Sequence, residues 1–158
     1  MIVVSDTSPI NYLIQIDKLL LLKNLFEEIF IPTTVYDELV SYSKNIAPIS
    51  QGVSEGWIHI QSPVNELSQK MRDVLDDGEA KAIALALELN ASLVLIDERK
   101  GAIVARKLNL KTFGLIGVLV EAKKDGNYPC GKTIFRRSNT AELSHFSTIL
   151  QTNTIRSK

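Results

Sequence analysis

A single cysteine in 158 residues, Cys130, excludes an internal disulfide. The only two histidines, His59 and His145, stand far apart without companion cysteines, so no zinc-type spacing exists and any metal must be held by oxygen. Long apolar runs are lacking as well. The longest near the amino end, Leu19 to Leu22, is flanked by Lys18 and Lys23, whereas a membrane span needs about 20 apolar residues. No basic start precedes it as in a secretory leader, so a cytoplasmic protein without membrane association is expected. Internal repeats are absent too, and the net charge of zero argues against a general nucleic-acid coat protein.

What is present fits one globular domain with a real core: 45% hydrophobic and 23% charged residues are ordinary values for a soluble chain. The charge is divided along the chain. Residues 1–98 carry 6 Lys and Arg against 15 Asp and Glu, and residues 99–158 carry 12 against 3. Single surface charges usually only solvate helix faces. A division this sharp also suits a phosphodiester substrate, with acids acting on the phosphate and basic residues holding the backbone beside it.

Elements alternate as in a doubly wound sheet. Ile2-Val3-Val4 and Leu93-Val94-Leu95-Ile96 read as buried parallel strands, closed by Asp6 and Asp97. Ser8-Pro9 reads as a helix start with Ser8 as cap. Further helices are expected over Leu19–Glu27 and from Pro32 to about Ser41, with a strand at Ile29–Ile31 between them. Ser43 to Gly56 reads as a loop or weak helix, followed by a short strand around Trp57–Ile60. Asn65–Leu75 is amphipathic, Asp76-Asp77-Gly78 reads as a turn between helices, and Glu79–Leu89 is rich in helix formers. A helix over Arg99–Leu108, a strand at Lys111–Phe113 and a helix over Leu115–Lys124 complete a three-layer α/β/α sandwich with a mostly parallel central sheet.

In such sheets ligands collect beyond the carboxyl ends of the strands, where Asp6 and Asp97 stand. Carboxylates that converge there repel by about 4 kcal/mol per pair at 4 Å and an effective dielectric of 20, and a divalent cation is the simplest remedy. Each acid also has an ordinary explanation. Asp6 and Asp97 could cap helices, Glu79 in a first helical turn meets the helix dipole, and Glu38 could be an exposed helix residue for which Asp37 could equally stand in.

The stretches Ile2-Val3-Val4-Ser5-Asp6-Thr7-Ser8-Pro9, Ile31-Pro32 through Val35-Tyr36-Asp37-Glu38-Leu39, Asp77-Gly78-Glu79-Ala80 through Ala84-Leu85-Ala86, and Leu93 through Asp97-Glu98-Arg99-Lys100-Gly101 resemble the PIN domain, and more narrowly the subgroup related to prokaryotic VapC-type toxins. The resemblance runs in order from about Met1 to Lys124. It implies an endoribonuclease that uses Mg2+ or Mn2+, the toxin of a toxin–antitoxin pair, with RNA as substrate, a small antitoxin protein as partner and room for a homodimer. Carried over by position, Asp6, Glu38, Glu79 and Asp97 become the catalytic and metal-holding acids. The third is Glu where Asp is commoner in the family. Arg99 and Lys100 could grip phosphate.

Beyond the 1–124 nuclease-like domain, residues 125–158 form a polar, basic tail with Gly-Asn-Tyr-Pro-Cys-Gly and Phe-Arg-Arg-Ser-Asn-Thr, unlike the family's usual ending. The tail keeps a second class of reading open, a catalytically weak or inactive PIN-like module acting by protein or RNA association. A third, a phosphate-transferring aspartate pair of the haloacid dehalogenase type, would need a second Asp two places after the first. Asp6-Thr7-Ser8 lacks it.

Overall fold

Short β-branched and apolar runs make the strands, and each is flanked by residues that start or stop a helix. The computed structural model describes residues 1–124, and the polar, basic tail of residues 125–158 lies outside the described residues. The strands are β1 (Val3–Ser5), β2 (Ile29–Ile31), β3 (Ile58–Ile60), β4 (Leu93–Leu95) and β5 (Thr112–Phe113), all parallel, in the order β3-β2-β1-β4-β5. The helices are α1 (Thr7–Gln15), α2 (Leu20–Phe26), α3 (Thr33–Ser41), α4 (Ser43–Ser54), α5 (Gln69–Arg72), α6 (Asp77–Glu88), α7 (Arg99–Lys107) and α8 (Leu115–Lys124).

Successive strand residues face opposite sides, so each central strand feeds two cores. Val3, Leu93 and Leu95 join one core with Ile10 and Leu13 of α1, Leu22 and Leu25 of α2, Val35 and Leu39 of α3, and Val118 of α8. Val4 and Val94 join the other with Ala82, Ile83, Leu85 and Ala86 of α6 and Val104 and Ala105 of α7. The result is the expected α/β/α sandwich. The strand order reverses between β1 and β4, the kind of switch point where open α/β sheets form their crevice. The Asp6 amide donates to Leu95 O at 3.0 Å and locks the two strand ends side by side.

Two local expectations are corrected, and one left open between loop and helix is settled. α1 begins at Thr7, so Asp6 rather than Ser8 holds the cap position. Residues 43–54 form a regular helix despite Pro48 and Gly52, because Asn45, Ile49 and Gly52 recur at helical spacing on a buried face. The helix expected over 65–75 shrinks to Gln69–Arg72, since the Val64 and Asn65 amides are spent on the Glu88 carboxylate.

At Gly52, α4 packs directly against Ile58 of β3. A Cβ there would overlap Ile58 Cδ1 and lie 2.8 Å from Ile58 Cγ1 and 3.0 Å from the Trp57 ring. Replacing Gly by Ala inside a helix ordinarily gains up to about 1 kcal/mol, but overpacking costs about 1–3 kcal/mol. Gly52→Ala is therefore expected to lower the denaturation midpoint, and a midpoint above wild type would show that α4 has slack against β3.

Candidate active site

Asp6 follows β1 directly, with backbone φ −79° and ψ 172°, and its side chain makes no capping hydrogen bond to α1. The carboxyl is thus turned to other work although its backbone caps a helix. It is 4% exposed. Glu38 projects from α3, where Oε2 accepts a hydrogen bond from Thr7 Oγ1. The first turn of α6 then comes up beside them, and a Cβ added to Gly78 would lie 3.2 Å from Asp6 Oδ1, 3.2 Å from Glu38 Oε2 and 3.4 Å from Asp76 Oδ1. Three carboxylates from three segments therefore crowd around one residue that has no side chain.

Glu79 is fixed by its own helix start. Asp76 Oδ1 accepts from the Glu79 amide at 2.7 Å and Glu79 Oε2 accepts from the Asp76 amide at 3.2 Å, a reciprocal capping box. This satisfies one oxygen of each carboxylate and orients both. The other oxygen of Glu79, Oε1, is buried without a hydrogen-bond partner. Glu79 is only 2% exposed, and its Oε1 faces Gly101 so closely that a Cβ there would lie 2.5 Å away. Carboxylate oxygens of Asp76, Glu79 and Glu98 come within 4.8 Å of one another.

The structure therefore brings Asp6, Glu38 and Glu79 to one end of the sheet and adds two acids that sequence reasoning passes over. Asp76 lies inside what reads as a turn, although the Asp-x-x-Glu spacing is itself a capping-box signature. Glu98 directly follows Asp97 and occupies the cap position of α7 without a side-chain capping bond. Asp97 closes β4 as expected, is exposed, and turns Oδ1 to the amide of Leu115 at 3.2 Å, the first residue of α8. That oxygen serves the helix start rather than the other acids.

The electrostatics follow from crowding in a poorly hydrated place. Burial first of all pushes Asp6 up from its ordinary 3.8 to about 7; the Thr7 amide opposes this, and the charges of Asp76, Glu79 and Glu38 reinforce it. Burial likewise raises Glu79 from 4.5 to about 7, opposed by the Asp76 amide and Lys100 and reinforced by Asp76 and Glu98. An all-carboxylate donor set with an unpartnered buried oxygen fits a hard divalent cation, which prefers oxygen ligands. Thiolate and imidazole ligands have no place in it.

Both raised groups hold their protons more tightly in the folded chain than in the unfolded one. Their contribution to stability is therefore full below about pH 4 and is lost as the pH rises to about 7. Asp6→Asn removes one such group, so without divalent cations the variant is expected to match wild type near pH 4 and to melt above it at pH 8. The gap at pH 8 is expected to reach a few kcal/mol, because each tenfold change in proton affinity is worth about 1.4 kcal/mol. Added Mn2+ is expected to reverse the order at pH 8. Thermal melts in which the two proteins differ equally at both pH values would mean that Asp6 carries no buried charge. Gly78→Ala tests the crowding with every carboxylate in place: the Cβ enters at 3.2 Å from two of them, and a loss of Mn2+ affinity of about tenfold, or 1.4 kcal/mol, is expected by calorimetry. Unchanged affinity would place the cation away from Gly78.

Comparison with known proteins gives this site its context. A model of the PIN domain matches residues 2–151. Among solved structures, a PilT N-terminus domain protein from the hyperthermophilic archaeon Sulfolobus solfataricus P2 superposes with a TM-score of 0.54 at 19% sequence identity. The match covers 77% of this chain and 93% of that one, and at this identity it speaks for the fold. No curated protein matches significantly. With the family model matching nearly the whole chain, and acids gathered where β1 and β4 end, the chain belongs to the PIN-domain family.

Proposed function

We propose that this protein is a metal-dependent endoribonuclease that hydrolyses RNA phosphodiester bonds, acting as the toxin of a toxin–antitoxin pair that a small antitoxin protein holds in check. The observation that carries the nuclease reading is the convergence of Asp6, Glu38 and Asp76 around Gly78 at the sheet's switch point, with Glu79 close enough to act on Asp6 and carrying an unpartnered buried oxygen. Membership in the PIN family supports it. The toxin role is supported by the resemblance of the four motifs to VapC-type proteins.

Asp6, Glu38 and Glu79 would hold Mg2+ or Mn2+ directly or through water, and Asp97, whose Oδ1 is engaged by the Leu115 amide, would contribute through its other oxygen. When bound, the cation lowers the pKa of a coordinated water and neutralises charge developing on the phosphate. The chain's own part is positional. Thr7 holds Glu38 by its hydroxyl, the capping box holds Glu79, and the Leu115 amide holds one oxygen of Asp97. No side-chain nucleophile is called for. Arg99 and Lys100, in the first turn of α7 beside Glu98, grip the RNA backbone on one side of the acids.

The test is cleavage of a mixed single-stranded RNA pool with Mn2+, with EDTA, and by the Asp6→Asn and Glu38→Gln variants. Cleavage is expected only with the cation, and each variant is expected to fall by on the order of 100-fold or more, since even partners behind metal ligands are worth 10–100-fold. Neutralising Arg99 and Lys100 together should weaken RNA binding while leaving Mn2+ affinity unchanged. Identical products in all arms would expose a contaminating nuclease. No cleavage with any divalent cation or RNA would favour the binding-module reading instead.

A further inference from the structure

Six of the ten residues of α8, Leu115, Ile116, Val118, Leu119, Val120 and Ala122, are apolar, and a helix that is apolar on most of its circumference is ordinarily buried. Only Val118 is buried here. Leu115, Leu119 and Ala122 pack partly against the core, whereas Ile116 is 50% exposed and Val120, four residues on, shares its face. α8 packs beside α1. On α1, Asn11, Ile14 and Gln15 line the cleft toward α4, so Tyr12 and Ile16, each 48% exposed and four residues apart, stand on the opposite flank, toward α8. Two pairs from two neighbouring helices thus border one apolar groove, uncovered among the described residues.

The chain that leaves α8 carries a segment whose pattern fits such a groove. Leu143, Phe146, Ile149 and Leu150 recur at the spacing of one helix face, and Glu142, Ser144, His145, Ser147 and Thr148 fill the other positions. Asn139 followed three residues later by Glu142 is a helix-start signature. The PIN-domain model matches the chain through residue 151, so this segment lies inside the matched region and residues 152–158 do not.

We propose that residues 139–151 dock on their own chain as an amphipathic helix in the groove between α1 and α8, with Leu143, Phe146, Ile149 and Leu150 set against Tyr12, Ile16, Ile116 and Val120. The reach is ample. Residues 125–138 can extend over about 46 Å at the usual rise of an extended chain, and α8 is only about 15 Å long. A helix over 139–151 would measure about 20 Å, a match for the groove. Position selects the occupant, because the segment's own chain departs from α8 and tethering keeps it at a high effective concentration there. A second copy would have to find the groove by diffusion. Glu142 is the only formally charged residue of the segment and stands off its apolar face, so docking leaves that charge in water. The docking is independent of the nuclease reading, since none of its residues is one of the acids.

The test is thiol crosslinking with a short bismaleimide in the full chain, with Cys130→Ser as background. Phe146→Cys is combined with Ile116→Cys in one variant and with Gln51→Cys, on α4, in another. Positions 116 and 51 are both exposed, so both variants are expected to keep the wild-type circular dichroism spectrum. Docking predicts an intrachain crosslink that forms about tenfold or more faster at position 116 than at position 51, because a free tether samples both places and a docked segment only one. Equal rates at the two positions would overturn the docking, and so would crosslinks that form only between chains, which would give the groove to a second copy. Amide exchange supplies a readout without introduced cysteines. Leu143→Asp together with Phe146→Asp is expected to speed exchange in α8 and to leave α6 as in wild type, and α8 exchange identical to wild type would equally overturn the docking.

Discussion

Burying the Asp6 and Glu79 carboxyl groups together at the junction of β1 and β4 is the constraint to which the rest of this structure answers. Two acids at 4% and 2% exposure are expensive to ionise, and hydrophobic packing around them cannot repay that cost. The fold meets it by distributing duties. Backbone amides in the capping box carry one oxygen of Glu79, Thr7 occupies Glu38, and Asp6 and Glu79 keep protons up to about pH 7. Gly78 and Gly101 contribute by omission, since a side chain at either would occupy the space the carboxylates need. Above about pH 7 these two groups ionise beside other acids, and a cation placed among them would offset that charge.

That constraint explains why some of the site is legible in the sequence and some is not. Strand ends are legible because Val3–Ser5 and Leu93–Leu95 are buried on both faces and read as continuous apolar runs, so Asp6 and Asp97 announce themselves by position. The α6 start is legible only in part: Glu79 reads as the acid opening a helix, but Asp76 reads as part of a turn. Its role emerges from a reciprocal bond that a single-residue propensity does not contain. Asp97 and Glu98 are adjacent in sequence and diverge in space, one turning to Leu115 and the other toward Asp76 and Glu79. Only the chain path after β4 decides which of two neighbouring acids faces the cluster. Residues 43–54 stay open between loop and weak helix in the sequence, because local turn formers compete there with a buried Asn45-Ile49-Gly52 stripe that packing makes decisive.

The division of charge along the sequence also changes meaning in three dimensions. Of the basic residues between 99 and 124, Arg106 and Lys107 occupy the last turn of α7, and Lys123 and Lys124 the last turn of α8. Those positions complement the negative end of a helix dipole, and Arg106 also donates to Thr112 Oγ1 at 2.8 Å. They belong to helix stability. Lys111 precedes β5, at the amino end of the sheet. Arg99 and Lys100, at the opposite end of α7, remain beside the acids, so among residues 99–124 the positive charge available to a phosphate backbone near the site reduces to this pair. Two phosphate contacts give a salt dependence of only about 1.4 in log affinity per log salt for a single strand. A steeper measured slope would mean that further basic residues share the grip, and substitution of Lys132, Arg136 and Arg137 would show whether the tail supplies them.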